Sequence, residues 1–245
     1  MYKAFETFNE SQNSEFLIIC DHASNIVPEY INTNNLGISD ENLNRHIAYD
    51  IGAAGLSKKL GEYLKSTVIL SNFSRLVIDP NRGEDDPTLI MQLYDGTIID
   101  GNRDLSEADR EIRLSSCYRP YHEEISRLAS SKSDPILISI HSFTPKLKNS
   151  LNRPWHIGIL SADDRRFSQP LIDYFKNKSE INCGDNEPYC GNLVGDTMYQ
   201  HALSYERLHV LIEVRNDLIK DQDNQLKWAE KLAQAVNSVK QEIYR

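Results

Sequence analysis

Two histidines stand where apolar runs break into charge. Phe16-Leu-Ile-Ile-Cys20 is followed at once by Asp21 and His22, and Pro135-Ile-Leu-Ile-Ser-Ile140 is followed by His141. Imidazole is a favoured zinc ligand, and a catalytic zinc typically takes three protein ligands and keeps one position open. A lone histidine at a strand end is commonly a hydrogen-bonded core residue. Two of them, each closing an apolar run, point to a shared metal site that needs a third ligand, usually a carboxylate. His46 and Asp50 lie four apart in a helix-like stretch, which puts both side chains on one face. They read either as a hydrogen-bonded pair at the core's edge or as part of that site. The His-Glu-x-x-His pattern of helix-borne metalloproteases is absent.

The last apolar run, His209-Val-Leu-Ile-Glu-Val-Arg215, places Glu213 and Arg215 two apart and so on one face of a strand. They could form a structural ion pair. They are also what a hydrolase uses, a carboxylate to take a proton from water and a guanidinium to hold an anion. Asn81-Arg82 offers a second fork for a carboxylate, or else a simple turn opened by Asp79-Pro80. No Gly-x-Ser-x-Gly elbow and no glycine-rich phosphate loop after the first strand occur, which argues against a serine hydrolase and a nucleotide site.

The elements that must carry these residues follow from periodicity. Strands are expected over 16–20, 67–70, 75–79, 135–141, 155–160 and 209–215, where short apolar runs are bounded by turn signals. Helices are expected over 39–65, capped by Ser39 with Asp40 and Glu41 in its first turn, over 106–131 with a kink at Pro120, from 163 or 164 to 178, over 196–205, and over 223–244. Residues 1–14 read as a polar surface wrap, 23–38 and 83–104 as loops, and 179–195 as irregular. Alternating strands and helices predict one α/β domain over 1–245, with a mixed, mostly parallel sheet and helices on both faces.

A chain of 245 residues, 40% hydrophobic and 26% charged, can bury a sizeable core. Its net charge of −9 argues against a nucleic-acid surface or an anionic membrane as partner, while leaving room for a local arginine cluster. Four cysteines without a Cys-x-x-Cys pair give neither a disulfide framework nor a zinc ribbon. The amino-terminal stretch lacks the apolar core of a signal peptide, and no run approaches the ~18 apolar residues of a membrane span. A cytoplasmic location is the expectation, with the oligomeric state left open, a homo-oligomer included.

Several stretches, in order along nearly the whole chain, resemble the N-formylglutamate amidohydrolase family. They are 21–28 (Asp-His-Ala-Ser-Asn-Ile-Val-Pro), 46–52 (His-Ile-Ala-Tyr-Asp-Ile-Gly), 74–82 (Ser-Arg-Leu-Val-Ile-Asp-Pro-Asn-Arg), 94–103, 118–122 (Tyr-Arg-Pro-Tyr-His), 140–145, 186–189 and 209–218. The resemblance implies a zinc-carboxypeptidase-like (phosphorylase/hydrolase-like) fold and one zinc per chain, with His22 and His141 as ligands. It implies Asn81 and Arg82 as a carboxylate clamp and Glu213 as general base. In the wider group a glutamate stands three residues after the first histidine; here that residue is Asn25. The third ligand must then come from elsewhere: Asp50, with His46 as its rival and Glu29 as a further option. The expected activity is hydrolysis of a small N-acylated acidic amino acid such as N-formyl-glutamate, with Arg82 and Arg215 holding its carboxylates. Two other readings are a non-catalytic binder of an acidic metabolite and an amidase for another N-acyl amino acid, a γ-glutamyl amide or a peptidoglycan-type amide.

Overall fold

The apolar runs become the centre of a seven-stranded sheet. In the computed structural model, which describes residues 2–31 and 35–245, the strands are β1 (Phe5–Phe8), β2 (Phe16–Cys20), β3 (Thr67–Ser71), β4 (Leu93–Tyr94), β5 (Thr97–Ile98), β6 (Ile136–Phe143), β7 (Ile157–Leu160), β8 (Cys183–Asp185) and β9 (His209–Arg215). The helices are α1 (Asp40–Leu43), α2 (Ala53–Leu64), α3 (Glu107–Arg113), α4 (Arg119–Ser130), α5 (Ser168–Lys176), α6 (Thr197–His201) and α7 (Gln222–Ile243). The large sheet runs in the order β1-β3-β2-β6-β9-β7-β8, and β4 and β5 form a separate hairpin. Strands β3, β2, β6 and β9 are mutually parallel; β1 and β7 run against their neighbours β3 and β9. The result is one α/β domain with a mixed, mostly parallel sheet.

Strands β2, β3 and β6 are buried along their whole length, and β9 is buried up to Arg215. Strands covered on both faces read as unbroken apolar runs, which is why they are visible in sequence. Ile18, Ile138, Ile140 and Ile212 pack against α2, α5 and α7 on one face. Leu17, Ile19, Leu137 and Leu211 face Tyr121, Ile125 and Leu128 of α4 on the other. Among the described residues no helix is long and apolar enough to cross a membrane.

Three expectations are corrected. The helix expected over 39–65 is two helices. Ser39 caps α1 as expected, its side chain accepting from the Asn42 N–H, but helix resumes only at Ala53. Gly52 has a φ of +83°, and a Cβ there would come within 2.2 Å of the Ile219 carbonyl oxygen. His46 and Asp50 therefore lie on an irregular segment, not on a helical face. The stretch 75–79 is a buried turn, not a strand. Its Leu76 and Val77 carbonyls accept from Asn102 Nδ2 and Arg113 Nη1, each at 2.7 Å, so side chains replace a strand partner. The 106–131 helix is α3 and α4 joined by a wide π turn at Leu114–Tyr118, with Pro120 in the first turn of α4. Strands β1 and β8 fall in stretches read as surface wrap and irregular chain. Of the loop expected over 23–38, residues 32–34 lie outside the described residues.

Candidate metal centre and substrate cavity

The carboxyl ends of β2 and β6 bring His22 and His141 together, and the 44–52 segment folds over them. That segment is pinned by the Asp50 N–H donating to the His22 carbonyl at 2.9 Å and by Ser142 Oγ donating to the Ile51 carbonyl at 2.8 Å. His22 Nδ1 stands 3.2 Å from His141 Nδ1, and Asp50 Oδ2 lies 3.4 Å and 2.9 Å from them. Bonds of about 2.0–2.1 Å in a tetrahedron put ligand atoms about 3.3–3.4 Å apart. The three edges therefore have the size of one face of such a tetrahedron.

The opposite ring nitrogens explain why both Nδ1 atoms point inward. His22 Nε2–H donates to Asp79 Oδ1 at 2.7 Å, and His141 Nε2–H donates to Asp21 Oδ2 at 3.2 Å. Carboxylates in this outer position fix the tautomer, leave the Nδ1 lone pair for a metal and raise its basicity. Burial alone would raise the Asp21 carboxyl and lower His141. The hydrogen bond between them wins, so Asp21 is held below its ordinary range, and His141, with Asp50 on its other side, is pushed well above. Asp79 is likewise driven well down against burial by Arg75, 2.8 Å from its Oδ2, and by His22. A buried place that favours positive charge, with three lone pairs converging, fits a divalent metal.

Glu213, on β9, stands beside its register partner His141 on β6. Its Oε2 is buried without a hydrogen-bond partner, and burial raises the carboxyl to about 8 against the pull of His141. Both residues line a cavity together with His22, Asp50, Asn81 and Arg82. The structure thus gathers six of the seven residues singled out for the site. Asn81 Oδ1 accepts the Thr197 N–H at 3.2 Å, which turns its amide donors the other way. Arg82 is anchored by Nε to Thr88 Oγ1 and by Nη1 to its neighbour's carbonyl.

The seventh, Arg215, is not at the cavity. Its Nε donates to Asp217 Oδ1 at 2.7 Å and its Nη1 to the carbonyls of Arg153 and Trp155. The two-residue spacing does place it on the face of Glu213, but at the strand end the side chain turns to a nearer carboxylate. Among the alternatives for the third ligand, His46 lines the cavity with Nε2 3.5 Å from Asp95, away from the triangle. Glu29 is exposed and Asn25 is spent on Leu43 and Asn44. Arg75, Tyr94 and Tyr189 also line the cavity. Arg75 sits in the buried turn at 75–79, and the tyrosines lie in the 83–104 stretch and the 186–189 segment, whose lack of period gives no sign of which side chains point inward.

A model of the N-formylglutamate amidohydrolase family matches residues 14–220. Among solved structures, the gene product Atu2144 from Agrobacterium tumefaciens superposes with a TM-score of 0.92 at 32% identity, covering 100% of this chain and 97% of that one. The N-formylglutamate amidohydrolase from Ralstonia eutropha JMP134 superposes with a TM-score of 0.75 at 17% identity, covering 98% of both chains, a likeness of fold. No curated protein matches the sequence.

Proposed function

From the premise that the chain belongs to the N-formylglutamate amidohydrolase family, we propose that it is a zinc-dependent amidohydrolase acting on a small N-acylated acidic amino acid, N-formyl-glutamate or a close relative. The reading takes residues 1–245 as one such domain, at work in the cytoplasm, where its four free cysteines are at home. The observation that carries it is the convergence of His22 Nδ1, His141 Nδ1 and Asp50 Oδ2 beside the unpartnered Oε2 of Glu213.

His22, His141 and Asp50 would hold the zinc, which supplies a Lewis acid for the amide carbonyl and lowers the pKa of a water ligand. Glu213 Oε2 takes a proton from the attacking water and delivers it to the leaving nitrogen. Burial favours the neutral carboxyl, which suits Glu213 to hold that proton between the two transfers. The Asn81 amide and the Arg82 guanidinium hold a substrate carboxylate and so set the register of the scissile amide. Arg75 stays paired to Asp79 and balances the buried carboxylates.

Purified protein is expected to carry about one zinc per chain and to release formate from N-formyl-glutamate. His141→Ala loses metal and activity together. Glu213→Gln keeps the metal and loses about 10²–10⁴-fold in kcat. Full activity of Glu213→Gln removes the base assignment. Zinc-loaded protein that hydrolyses no member of an N-acyl amino acid panel retires the proposed reaction.

A further inference from the structure

The Tyr118-Arg-Pro-Tyr-His122 stretch contributes nothing to the metal triangle, yet three of its side chains reach buried positions behind it. Tyr121 donates to Asp21 Oδ1 at 3.0 Å, Tyr118 donates to the Arg82 carbonyl at 2.7 Å, and His122 Nε2 meets the Pro80 carbonyl at 3.0 Å. The last two contacts bracket Asn81. The chain at 80–82 belongs to no helix or strand, so no ladder fixes its backbone. Its carbonyls are taken by side chains: Pro80 by His122, Asn81 by Arg82 and Arg82 by Tyr118.

The polarity of this arrangement follows from the carbonyl at its end. A carbonyl only accepts, so His122 carries its proton on Nε2 and its Nδ1 is an acceptor. His201 Nε2, 2.8 Å away, must then donate to that Nδ1, which leaves His201 Nδ1 to accept from Ser126 Oγ at 3.2 Å. The chain Ser126, His201, His122, Pro80 therefore has one consistent direction, with both rings neutral and stacked at 17°. His122 is 6% and His201 4% exposed, so solvent is a poor substitute for either contact. Thr197 Oγ1 is 3.3 Å from the same carbonyl but is committed to Asp21 at 2.9 Å.

We infer that Tyr118, His122 and His201 are positioning residues for the substrate clamp: their hydrogen-bond chain fixes the Pro80–Arg82 backbone and so aims Asn81 and Arg82 into the cavity. The inference rests on the clamp reading proposed above. Losing the chain lets the clamp drift, while the Asn81 N–H stays tied at 2.9 Å to Asp79 Oδ1, the atom that also holds His22 Nε2. It weakens binding of the carboxylate in ground and transition states alike, which appears in KM and spares kcat.

The experiment uses the zinc-loaded full chain. Tyr118→Phe, which deletes one oxygen, and His122→Leu should each raise KM for N-formyl-glutamate about tenfold or more, with kcat within about threefold and zinc content unchanged. His122→Gln, whose amide can still donate to Pro80, should recover most of the loss. An unchanged KM in both of the first two variants, or a fall in kcat at unchanged KM, overturns the inference. A second measurement needs no turnover: side-chain ¹⁵N spectra of the wild-type protein at neutral pH should show both His122 and His201 as Nε2–H tautomers. An Nδ1–H tautomer at His122 overturns the chain whatever the activity. If the wild type releases no formate, that result counts against the proposed reaction, and the tautomer measurement decides the inference by itself.

Discussion

Single residues of the site were legible in sequence to the extent that their element was. His22 and His141 close apolar runs, and an apolar run fixes where its end lies in a parallel sheet. Asp50 follows from the need of two histidines for a carboxylate; the helical spacing that would pair it with His46 is absent, since 44–52 is irregular. Arg215 lies off the cavity because the direction of a long side chain at a strand end depends on a neighbour, Asp217, that alternation does not weigh. The His122–His201 pair was invisible, since 79 positions separate its members. It nonetheless has a measurable consequence for pH. Burial lowers His122 to about 4 and His201 to about 3, against about 6.5 in the unfolded chain. Between roughly pH 4 and 6.5 the unfolded state therefore holds protons that the folded state refuses, so stability rises with pH across that window and is lost on acidification. In metal-free protein, His201→Gln should flatten the slope of unfolding free energy against pH by about 1.4 kcal/mol per unit. Urea unfolding at several pH values measures it; equal slopes would mean that His201 is not buried neutral.

At the scale of elements, what could be read was whatever is buried on both faces. Strands β2, β3, β6 and β9 announced themselves, whereas β1 and β8 are partly exposed and short, and β8 contains Gly184. The 75–79 stretch resembles a strand for a physical reason: Leu76, Val77 and Ile78 are fully buried, as in a strand, but the Leu76 and Val77 carbonyls accept from the Asn102 and Arg113 side chains, and the Asp79 N–H donates to the Leu89 carbonyl. Apolar content reports burial, and only the hydrogen-bond partner decides the element. Gly158 shows how a strand position controls the cavity. It pairs with Glu213 across β7 and β9, and a Cβ there would sit 2.0 Å from the Glu187 carbonyl oxygen. The segment beyond Glu187, which brings Tyr189, Cys190 and Leu193 to the cavity, thus rests directly on a bare backbone. Gly158→Ala should cost about 1–3 kcal/mol, because backbone cannot yield as a flexible side chain can. It should also lower kcat/KM, since the displaced segment lines the cavity. A variant with wild-type unfolding midpoint and kinetics would show that this contact does not hold the segment.

At the scale of the whole molecule, the candidate metal centre joins parts of the chain that lie far apart in sequence. Its three converging atoms come from positions 22, 50 and 141, with Glu213 beside them. All but Asp50 sit at or just past the carboxyl ends of parallel strands, the edge at which open α/β sheets bind ligands. A metal that binds only the folded arrangement stabilises it by mass action, about 2.7 kcal/mol at a hundred times its dissociation constant. For a domain of this size each kcal/mol moves the midpoint about 2–4 °C. Stripping zinc with a chelator should thus lower Tm by roughly 5–11 °C, and returning it should restore the value. The net charge of −9 draws cations to the surface in general, so stabilisation alone is not specific. His141→Ala separates the two effects. It removes one lone pair and one charge-independent ligand while leaving the surface field untouched. Its Tm should be indifferent to zinc at concentrations that stabilise the wild type. An equal zinc response in both proteins would mean that the stabilisation comes from the acidic surface and not from the triangle.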